Sequence, residues 1–261
     1  LGATDRQGKL NEKGRKMAQL GSDPRLAALL IDAGTSAERI ATAALLVAIL
    51  EEPPRSGSGD LRDCFQRVQP QWQRRARQLQ NRLRAREAVA DSEYLAPLLM
   101  AAFPDRLARR RGQQGRYQLA NGSGALLDDD HALSRYEWLI APLLLQGNMQ
   151  ADARILQALP VEIESLISQC PEQVESVTAV EWDEEKGTLR AWRREQIGSL
   201  VLKAQPQARP EPEELHPAML NWIREKGLDV LNWTPEAQQL RMRLACAVQW
   251  LPQECWPASD D

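Results

Sequence analysis

The chain lacks the motifs on which most self-contained enzymes depend. It contains no G-x-x-x-x-G-K-[ST] phosphate loop, no G-x-G-x-x-G after a strand, no H-E-x-x-H and no G-x-S-x-G. Its two histidines and four cysteines are scattered, and no C-x-x-C pair is present, which argues against a zinc site or a disulfide framework. We therefore predict no catalytic and no metal-binding residue in this chain, and free buried thiols in a reducing compartment, the cytoplasm.

Long hydrophobic runs are also missing. The longest, IATAALLVAIL at residues 40–50, is too short to cross a bilayer and predicts a buried core helix. The chain opens on Leu1 without the charged and then apolar pattern of a signal peptide. We expect a piece of a longer protein that has no membrane partner.

Helical patterns fill the first part of the chain. Over residues 1–21, two short extended pieces around a turn precede a short helix with Asn11 as its cap. Cap signals at Asp23 and at Thr35 or Ser36 then precede apolar helices, the second of which is apolar on nearly all sides. A long arginine-rich helix is predicted over residues 71–90, and FPDRLARRR is predicted to be the last helical turn. These patterns predict a helical bundle over residues 22–111.

After Gly112 the apolar period changes from helical to two, which is typical of strands. The segment GRYQLANGSGALL predicts a hairpin around Asn121-Gly122, a pair that tolerates positive φ at both turn positions. A second hairpin near Gly187 and further strands predict an OB-like β-barrel over residues 112–206. A proline-rich linker and two helices follow at 207–261, so the expected fold class is α+β.

Charge is distributed unevenly along the chain. The segment Leu61–Arg116 contains thirteen arginines, no lysine and five acidic residues, whereas Val161–Asp261 contains ten basic and eighteen acidic residues. Such asymmetry indicates that one region meets an anionic partner and another does not. The net charge of −3 argues against a protein that coats nucleic acid indiscriminately.

Two arginine clusters are the candidate contacts for such a partner. The cluster on the long helix, Arg74–Arg86, also fits a solvated helix face. The second cluster adjoins the hairpin, where cations could bind a nucleic-acid backbone, a ring could stack on a base and a turn could offer backbone N–H groups. Cations at a helix end also complement the helix dipole, so a structural role stays open. The candidate nucleic-acid-binding residues are Arg106, Arg109, Arg110, Arg111, Arg116, Tyr117, Asn121 and Gly122.

The order of three segments resembles a known family. LGATDRQGKLNEKGRKMAQL, then FPDRLARRRGQQGRYQLANG, then DARILQALP follow one another as in the bacterial HrpB branch of the DEAH/RHA ATP-dependent RNA helicases. The resemblance implies that residues 1–21 are the tail of a winged helix, that 22–111 are the helicase-associated bundle and that 112–206 are the OB-like barrel. It implies that 207–261 begin a C-terminal domain found in this branch.

The resemblance also implies a function. A motor of this family hydrolyses ATP with magnesium in two RecA-like domains, whose motifs this chain lacks, so we expect no cofactor and no ATPase activity here. The chain is expected to be an accessory region that lines the channel for single-stranded RNA, or DNA, and positions the strand for the RecA-like domains of the same parent protein. The alternative is a non-catalytic protein-interaction module whose acidic last third docks a partner.

Overall fold

The structure is a computed structural model of the 261-residue chain. It describes residues 2–5, 7–54, 57, 59–112, 115–146, 152–183, 188–207, 212–251 and 253–254. The predicted turn residue Gly187 lies outside these ranges. The chain divides into two compact units, Leu1–Ser176 with Glu195–Lys203 and Val177–Arg194 with Ala204–Asp261, and each is described by itself.

The first unit begins with a short hairpin and a capped helix, as predicted. Thr4 and Leu10 form an isolated antiparallel bridge. Helix α1 (Glu12–Leu20) follows, and the Asn11 side chain caps it by accepting the N–H of Gly14. A buried face with Met17 and Leu20 packs this helix onto the next one.

Five further helices form a bundle with α3 at its centre. Helices α2, α5 and α6 all pack against α3, in which every residue from Ile40 to Leu50 is buried. A helix without a polar face is stable only where neighbours cover all its sides, which explains its central place. The helices are α2 (Pro24–Asp32), α3 (Ala37–Glu51), α4 (Leu61–Gln66), α5 (Pro70–Arg82) and α6 (Leu95–Ala102).

Helix α5 is shorter than the sequence predicts. It stops at Arg82, and Arg84 adopts a left-handed backbone with φ 53°. The N–H of Ala85 bonds to the carbonyl of Gln80 at 3.1 Å, and the N–H of Arg84 bonds to Asn81 at 3.0 Å. This pair of bonds is a helix-ending motif that glycine usually provides. The predicted continuation to residue 90 is therefore wrong.

Five strands close into a barrel in the order β1-β2-β3-β5-β4. All neighbours are antiparallel except β3 and β5, which are parallel. Tyr117, Leu119 and Leu139 belong to the buried cluster of the barrel, whereas Leu107 and Ile140 belong to the larger core shared with the bundle. The strands are β1 (Leu107–Arg110), β2 (Arg116–Leu119), β3 (Gly124–Leu126), β4 (Trp138–Leu145) and β5 (Ala153–Pro160).

The barrel therefore begins inside the segment predicted to be the last helical turn. A single 3-10 turn at Pro104–Arg106 ends the helical part, and Leu107 and Ala108 enter the sheet with both side chains buried. Ala108 pairs with Leu119 on one side and with Leu139 on the other. The prediction that FPDRLARRR is helical is wrong because burial in the sheet prevails over the local helical pattern.

The strands after the barrel form a separate sheet. A short helix α7 (Ile163–Gln169) precedes β6 (Glu175–Asp183), β7 (Thr188–Ile197) and β8 (Leu200–Gln207), which pair in that order. The closed barrel thus ends at Pro160, and the expectation of one barrel reaching residue 206 is not met. The α+β class with a helical N-terminal part and an OB-like barrel is confirmed.

The second unit contains two C-terminal helices. Helix α8 is Pro212–Lys226, and helix α9 is Pro235–Trp250, whose N-cap is Thr234. Cys246 is exposed on α9, which corrects the expectation that this thiol is buried in a core. Among the described helices, none is both long and apolar enough to cross a membrane.

Candidate nucleic-acid interface

Arg106 lies at the junction where the bundle passes into the barrel. Its guanidinium Nε is 3.4 Å from Asp105 Oδ2, and 27% of its side chain is exposed. Arg25 of α2 donates both of its terminal nitrogens to the same carboxylate, at 2.6 and 3.0 Å. Burial is the largest influence on the pKa of Asp105 and raises it, but the hydrogen bonds and the charge of Arg25, together with the charge of Arg106, hold this pKa below its usual value. Asp105 is thus the anion that joins bundle and barrel, and Arg106 belongs to that junction.

Arg109 points outward from β1 and covers an aromatic ring. Its guanidinium carbon is 5.1 Å from the centre of the Trp138 ring, within the range of a cation–π contact. The Nε atom is 3.2 Å from Glu137 Oε1, and Nη1 donates to the carbonyl of Val201 at 3.2 Å. Because 45% of the side chain remains exposed, Arg109 can still meet an anion.

Arg110 and Tyr117 face each other across β1 and β2 and hold a turn. Arg110 Nη1 donates to the carbonyl of Arg135 at 3.1 Å, and the Tyr117 hydroxyl donates to the carbonyl of Tyr136 at 2.8 Å. Tyr117 is fully buried, and burial raises its pKa to about 12. A base cannot stack on a buried ring, so the predicted stacking role of Tyr117 is wrong.

Arg111 and Arg116 lie together where β1 passes into β2. The N–H of Arg111 bonds to the carbonyl of Arg116 at 2.8 Å. Arg111 Nη2 is 3.3 Å from Asp152 Oδ2, and 48% of its side chain is exposed. Arg116 is exposed, and its guanidinium has no ion-pair partner in the described part of the chain. Of the predicted cations, Arg116 is the most available to a ligand.

A turn is present at Asn121-Gly122, as predicted, and several of its polar groups form hydrogen bonds within the turn. Only Gly122 has a positive φ, 89°, and its N–H bonds to the carbonyl of Leu119 at 2.9 Å. Leu119 in turn donates to Ser123, which makes a three-residue loop with a glycine bulge rather than the expected two-residue turn. Asn121 Oδ1 accepts the N–H of Ser123 at 3.0 Å. The N–H groups of Gly122 and Ser123 are therefore not free for a strand, and the assignment of Asn121 and Gly122 to a nucleic-acid site stays a prediction.

Arg154 belongs to the same outer face and was not predicted. Arg116 pairs with Leu126, and Leu126 pairs with Arg154, so the three side chains lie in one row across β2, β3 and β5. Arg154 Nη2 is 2.8 Å from Asp128 Oδ2, and 60% of its side chain is exposed. We call Arg116, Leu126 and Arg154 the outer row. The alternating pattern of DARILQAL, which correctly predicts β5, places Arg154 opposite the buried Ile155 and could have revealed it.

The arginine cluster on α5 is partly used to hold the bundle together. Arg75 donates to Glu51 at 2.7 Å, and Arg82 Nη1 donates to the carbonyl of Leu20 at 2.7 Å. The other members are exposed, and no ion pair within the described residues involves them. These are Arg74 and Arg77 on α5, and Arg84 and Arg86 in the segment after its end. The helix thus combines structural and solvated arginines.

The described residues contain no cluster of side chains suited to bind a metal ion. No group of three or more histidine, cysteine, aspartate or glutamate side chains is placed there to hold an ion. Cys64 and Cys170 are buried, and burial raises the pKa of both thiols.

One family model matches a part of the chain. The model of the connector region of the ATP-dependent RNA helicase HrpB matches residues 173–207. That segment contains β6, β7 and β8, the three-stranded sheet whose strands are not part of the closed barrel.

One relative and two solved structures that match the whole chain are HrpB proteins of Escherichia coli. All 261 residues align, at 60% identity, with the ATP-dependent RNA helicase HrpB of Escherichia coli (strain K12), of which they cover 32%. A crystal structure of the E. coli DExH-box NTPase HrpB matches the whole chain with a TM-score of 0.81 at 60% identity. A crystal structure of the Escherichia coli DEAH/RHA helicase HrpB matches it with a TM-score of 0.79 at 56% identity. The resemblance to HrpB stated from the sequence is confirmed, and the chain spans about a third of the length of these relatives, 32% in each case.

Proposed function

We propose that this chain is the accessory region of an ATP-dependent RNA helicase. Its OB-like barrel forms part of the channel for single-stranded RNA and positions the strand for motor domains that lie elsewhere in the parent protein. Identity of 60% to HrpB over every residue supports the assignment to a helicase. This chain lacks a phosphate loop. Nucleotide hydrolysis is therefore assigned to the RecA-like domains of the parent protein, which hold ATP and magnesium.

The outer row is the observation that carries the RNA contact. Arg116 and Arg154 are exposed on one face of the barrel and flank Leu126. Adjacent strands are about 4.8 Å apart, so two cations separated by one strand lie about 10 Å from each other. Arg109 on the neighbouring strand β1 and Arg111, directly after it, leave about half of their side chains exposed. Guanidinium groups in this arrangement suit successive phosphates of a single strand, to which they bind without reading sequence.

The isolated chain provides a direct test of both halves of the proposal. We expect a fluorescently labelled single-stranded RNA to bind weakly, with an affinity that falls linearly on a log–log scale as salt rises. ATP hydrolysis should stay at background with and without RNA. Absence of salt-dependent binding would remove the channel role, and hydrolysis above background would overturn the assignment of the ATPase to other domains. Single-stranded DNA of the same sequence shows whether the 2′-hydroxyl contributes.

A protein-interaction module is the second candidate, and the helices of the second unit favour it. Helix α9 exposes Leu240 at 59%, Met242 at 62% and Trp250 at 78% of their surfaces. Apolar side chains of this size on one helix commonly mark a protein contact. If the chain binds no RNA but binds the RecA-like domains of its parent, and Trp250→Ser weakens that binding, the interaction module is the better description. The same domains, located in the cytoplasm, are the partner under both readings.

A further inference from the structure

A cavity of about 560 Å³ lies in the helical part of the first unit, between α5 and the segment that follows it. Ala76, Arg77 and Gln80 of α5 form one wall, and residues 87–90 form another. Apolar side chains add to the lining: Ala41 and Leu45 of α3, and the partly buried Phe65 and Val68. We call this cavity the α5 groove.

Hydrogen bonds hold the segment that forms the second wall. Helix α5 ends before the left-handed Arg84, and the N–H of Ala85 donates to the carbonyl of Gln80 at 3.1 Å. At the far end of the segment, the N–H of Asp91 donates to the hydroxyl of Thr42, a fully buried residue of α3, at 2.9 Å. The groove is therefore formed before a ligand binds, which lowers the entropic cost of association.

Val89 stands exposed on this fixed segment. Its side chain borders the groove and is 85% exposed, whereas its neighbours Ala88 and Ala90 are partly buried. Single exposed apolar residues are common on protein surfaces, but this one adjoins a cavity that is lined by further apolar side chains. A partner that covers Val89 and fills the cavity removes apolar surface from water, which favours association.

Arginines without ion-pair partners surround the α5 groove. Arg77 lines it, and Arg74 lies three residues earlier on the same side of the helix. Arg84 and Arg86 are exposed in the segment that leads to the second wall. No ion pair within the described residues involves these four cations or Glu87, the acidic residue of the lining. Four cations and one anion leave three positive charges in excess, and an anionic partner reduces their repulsion.

This combination of apolar surface and cations suits an acidic peptide better than a nucleic acid. A single strand binds through its phosphates and through bases that stack on exposed rings. The ring of Phe65 is partly buried and packs against the bundle core, whereas the aliphatic Val68 and Val89 match an apolar side chain of a peptide. Glu38 and Asp91 line the adjoining cavity beyond Val89 and would repel a continuous phosphate backbone. A peptide can place its acidic residues on the α5 side alone.

We propose that the α5 groove docks an acidic segment of a partner protein. A large apolar side chain of that segment occupies the cavity beside Val89, and carboxylates on either side of it pair with Arg77, Arg84 and Arg86. Guanidinium groups bind carboxylates through two parallel hydrogen bonds, which gives such a contact direction as well as charge. The inference does not depend on the RNA channel proposed for the outer face of the barrel.

Three short fluorescein-labelled peptides test the proposal with the 261-residue chain. The first contains two leucines among glutamates and aspartates. The second has serine in place of the leucines, and the third has lysine in place of every acidic residue. In anisotropy titrations we expect the first to bind saturably and less tightly as salt rises, and the other two to bind at least about tenfold more weakly.

Substitutions of exposed residues locate the binding site without disturbing the core. Val89→Asp should weaken binding of the acidic leucine peptide about tenfold, because it removes apolar surface and adds a like charge. Arg77→Glu should weaken it as well. The matched controls are Val248→Asp, at an exposed valine of α9, and Arg15→Glu, at an exposed arginine of α1, and both should leave the affinity unchanged.

Arg84→Gly separates the charge at this position from the shape of the groove. Glycine adopts the φ of 53° without strain, so the variant should unfold close to the temperature of the parent chain. It loses one cation, so the acidic leucine peptide should bind up to about fivefold more weakly. Absence of saturable binding by this peptide, equal binding of the serine peptide, or binding that neither Val89→Asp nor Arg84→Gly weakens would overturn the proposal.

Single-stranded RNA is the other occupant that these variants test. If Val89→Asp weakens only peptide binding and Arg116→Ala/Arg154→Ala weakens only RNA binding, both proposals stand. If the peptide binds in the groove but RNA binding does not depend on salt, the docking site stands and the channel role falls. If RNA displaces the peptide and Arg77→Glu weakens RNA binding, the groove belongs to the RNA surface and the docking proposal falls.

Discussion

Arg25 and Asp105 form a two-pronged ion pair between α2 and the turn that leads into the barrel. The two guanidinium nitrogens are 2.6 and 3.0 Å from the two carboxylate oxygens. The Arg25 guanidinium also lies 5.6 Å from the centre of the Phe103 ring. Two distant parts of the first unit are thereby joined at the point where helical structure gives way to strands.

This pair should stabilise the fold in a way that depends on pH. The folded-state pKa of Asp105 is lowered, so the stabilisation is present above the ordinary aspartate pKa of about 3.9 and is lost as the pH falls through the lowered value. We expect Asp105→Asn to lower the free energy of unfolding at pH 7 by at most about 1 kcal/mol, because both side chains are about one third exposed.

Denaturant titrations at pH 7 and at pH 3 measure this effect. The difference in unfolding free energy between the variant and the parent chain should be smaller at pH 3 than at pH 7. Asp130→Asn, at an exposed aspartate, is the control and should change stability little at either pH. An equal loss at both pH values would show that the charge of Asp105 is not what stabilises the junction.

The Tyr117 hydroxyl should contribute to stability and not to RNA binding. Tyr117→Phe removes the hydrogen bond that the buried hydroxyl donates to the carbonyl of Tyr136 and is expected to cost about 1–3 kcal/mol of unfolding free energy. Because burial raises the pKa of Tyr117 to about 12, its contribution should be present below the ordinary tyrosine pKa of about 10 and be lost as the pH rises toward 12.

Tyr94→Phe is the matched control, since Tyr94 is only half-buried and its change should stay within about 0.5 kcal/mol. Urea unfolding and an RNA titration of both variants separate the roles. A large loss of RNA affinity in a stably folded Tyr117→Phe chain would restore a direct role for this residue.

Gly198 should tolerate a side chain far less well than Gly34. Both have positive φ, 54° and 74°, so alanine strains the backbone at each position. At Gly198 a Cβ would also lie 2.2 Å from the carbonyl oxygen of Ala120, whereas at Gly34 no atom of the described residues lies within 4 Å of it.

We expect Gly34→Ala to cost about 1 kcal/mol of unfolding free energy and Gly198→Ala to cost about 2 kcal/mol more, from the added clash. Thermal unfolding of the two variants measures the difference. Similar losses would mean that the turn at Gly198 can move away from Ala120.

The thiols should differ in reactivity. Cys64 and Cys170 are buried, and burial raises the pKa of each, so the reactive thiolate is disfavoured. Cys246 is exposed. After brief treatment with iodoacetamide, peptide mass spectrometry should find Cys246 modified well before the two buried thiols, and urea should abolish the difference. Fast modification of Cys64 in the native chain would contradict the packing of α4.

Capping residues and periodicity were sufficient to predict much of the helical part. Asp23 caps α2 as expected, and Ser36, one of the two candidates beside Thr35, caps α3, because an N-cap is a local interaction that a few residues specify. The end of α5 was missed because an arginine, Arg84, adopts the left-handed conformation that usually marks glycine.

Local sequence patterns did not predict which strands form the barrel. The stretch Leu107–Arg110 has residues typical of a helix end, but pairing with β2 and β4 makes it a strand. That outcome depends on residues far along the chain, which local propensity cannot represent. The second hairpin was predicted correctly as strands and assigned wrongly to the barrel, because strand partners are not encoded within a strand.

The candidate site was predicted in part for the same reason. The sequence places arginines on the barrel, but it does not tell which of them are exposed. Alternation within β2 would have placed Tyr117 opposite Arg116 and hence inside the barrel. Arg154 joins Arg116 only through the parallel pairing of β3 with β5.

The central claim, that the outer face of the barrel binds the backbone of single-stranded RNA, is tested most directly by one salt titration. The affinity for a labelled single-stranded RNA is measured by anisotropy at increasing salt for the parent chain and for the Arg116→Ala/Arg154→Ala variant. The control is Arg15→Ala, an exposed arginine on α1.

We expect the double variant to bind more weakly, with a log–log salt slope smaller by about 0.7 for each phosphate that the variant no longer neutralises. The control should retain the slope of the parent chain. An unchanged affinity and slope in the double variant would contradict the claim that the outer row contacts RNA.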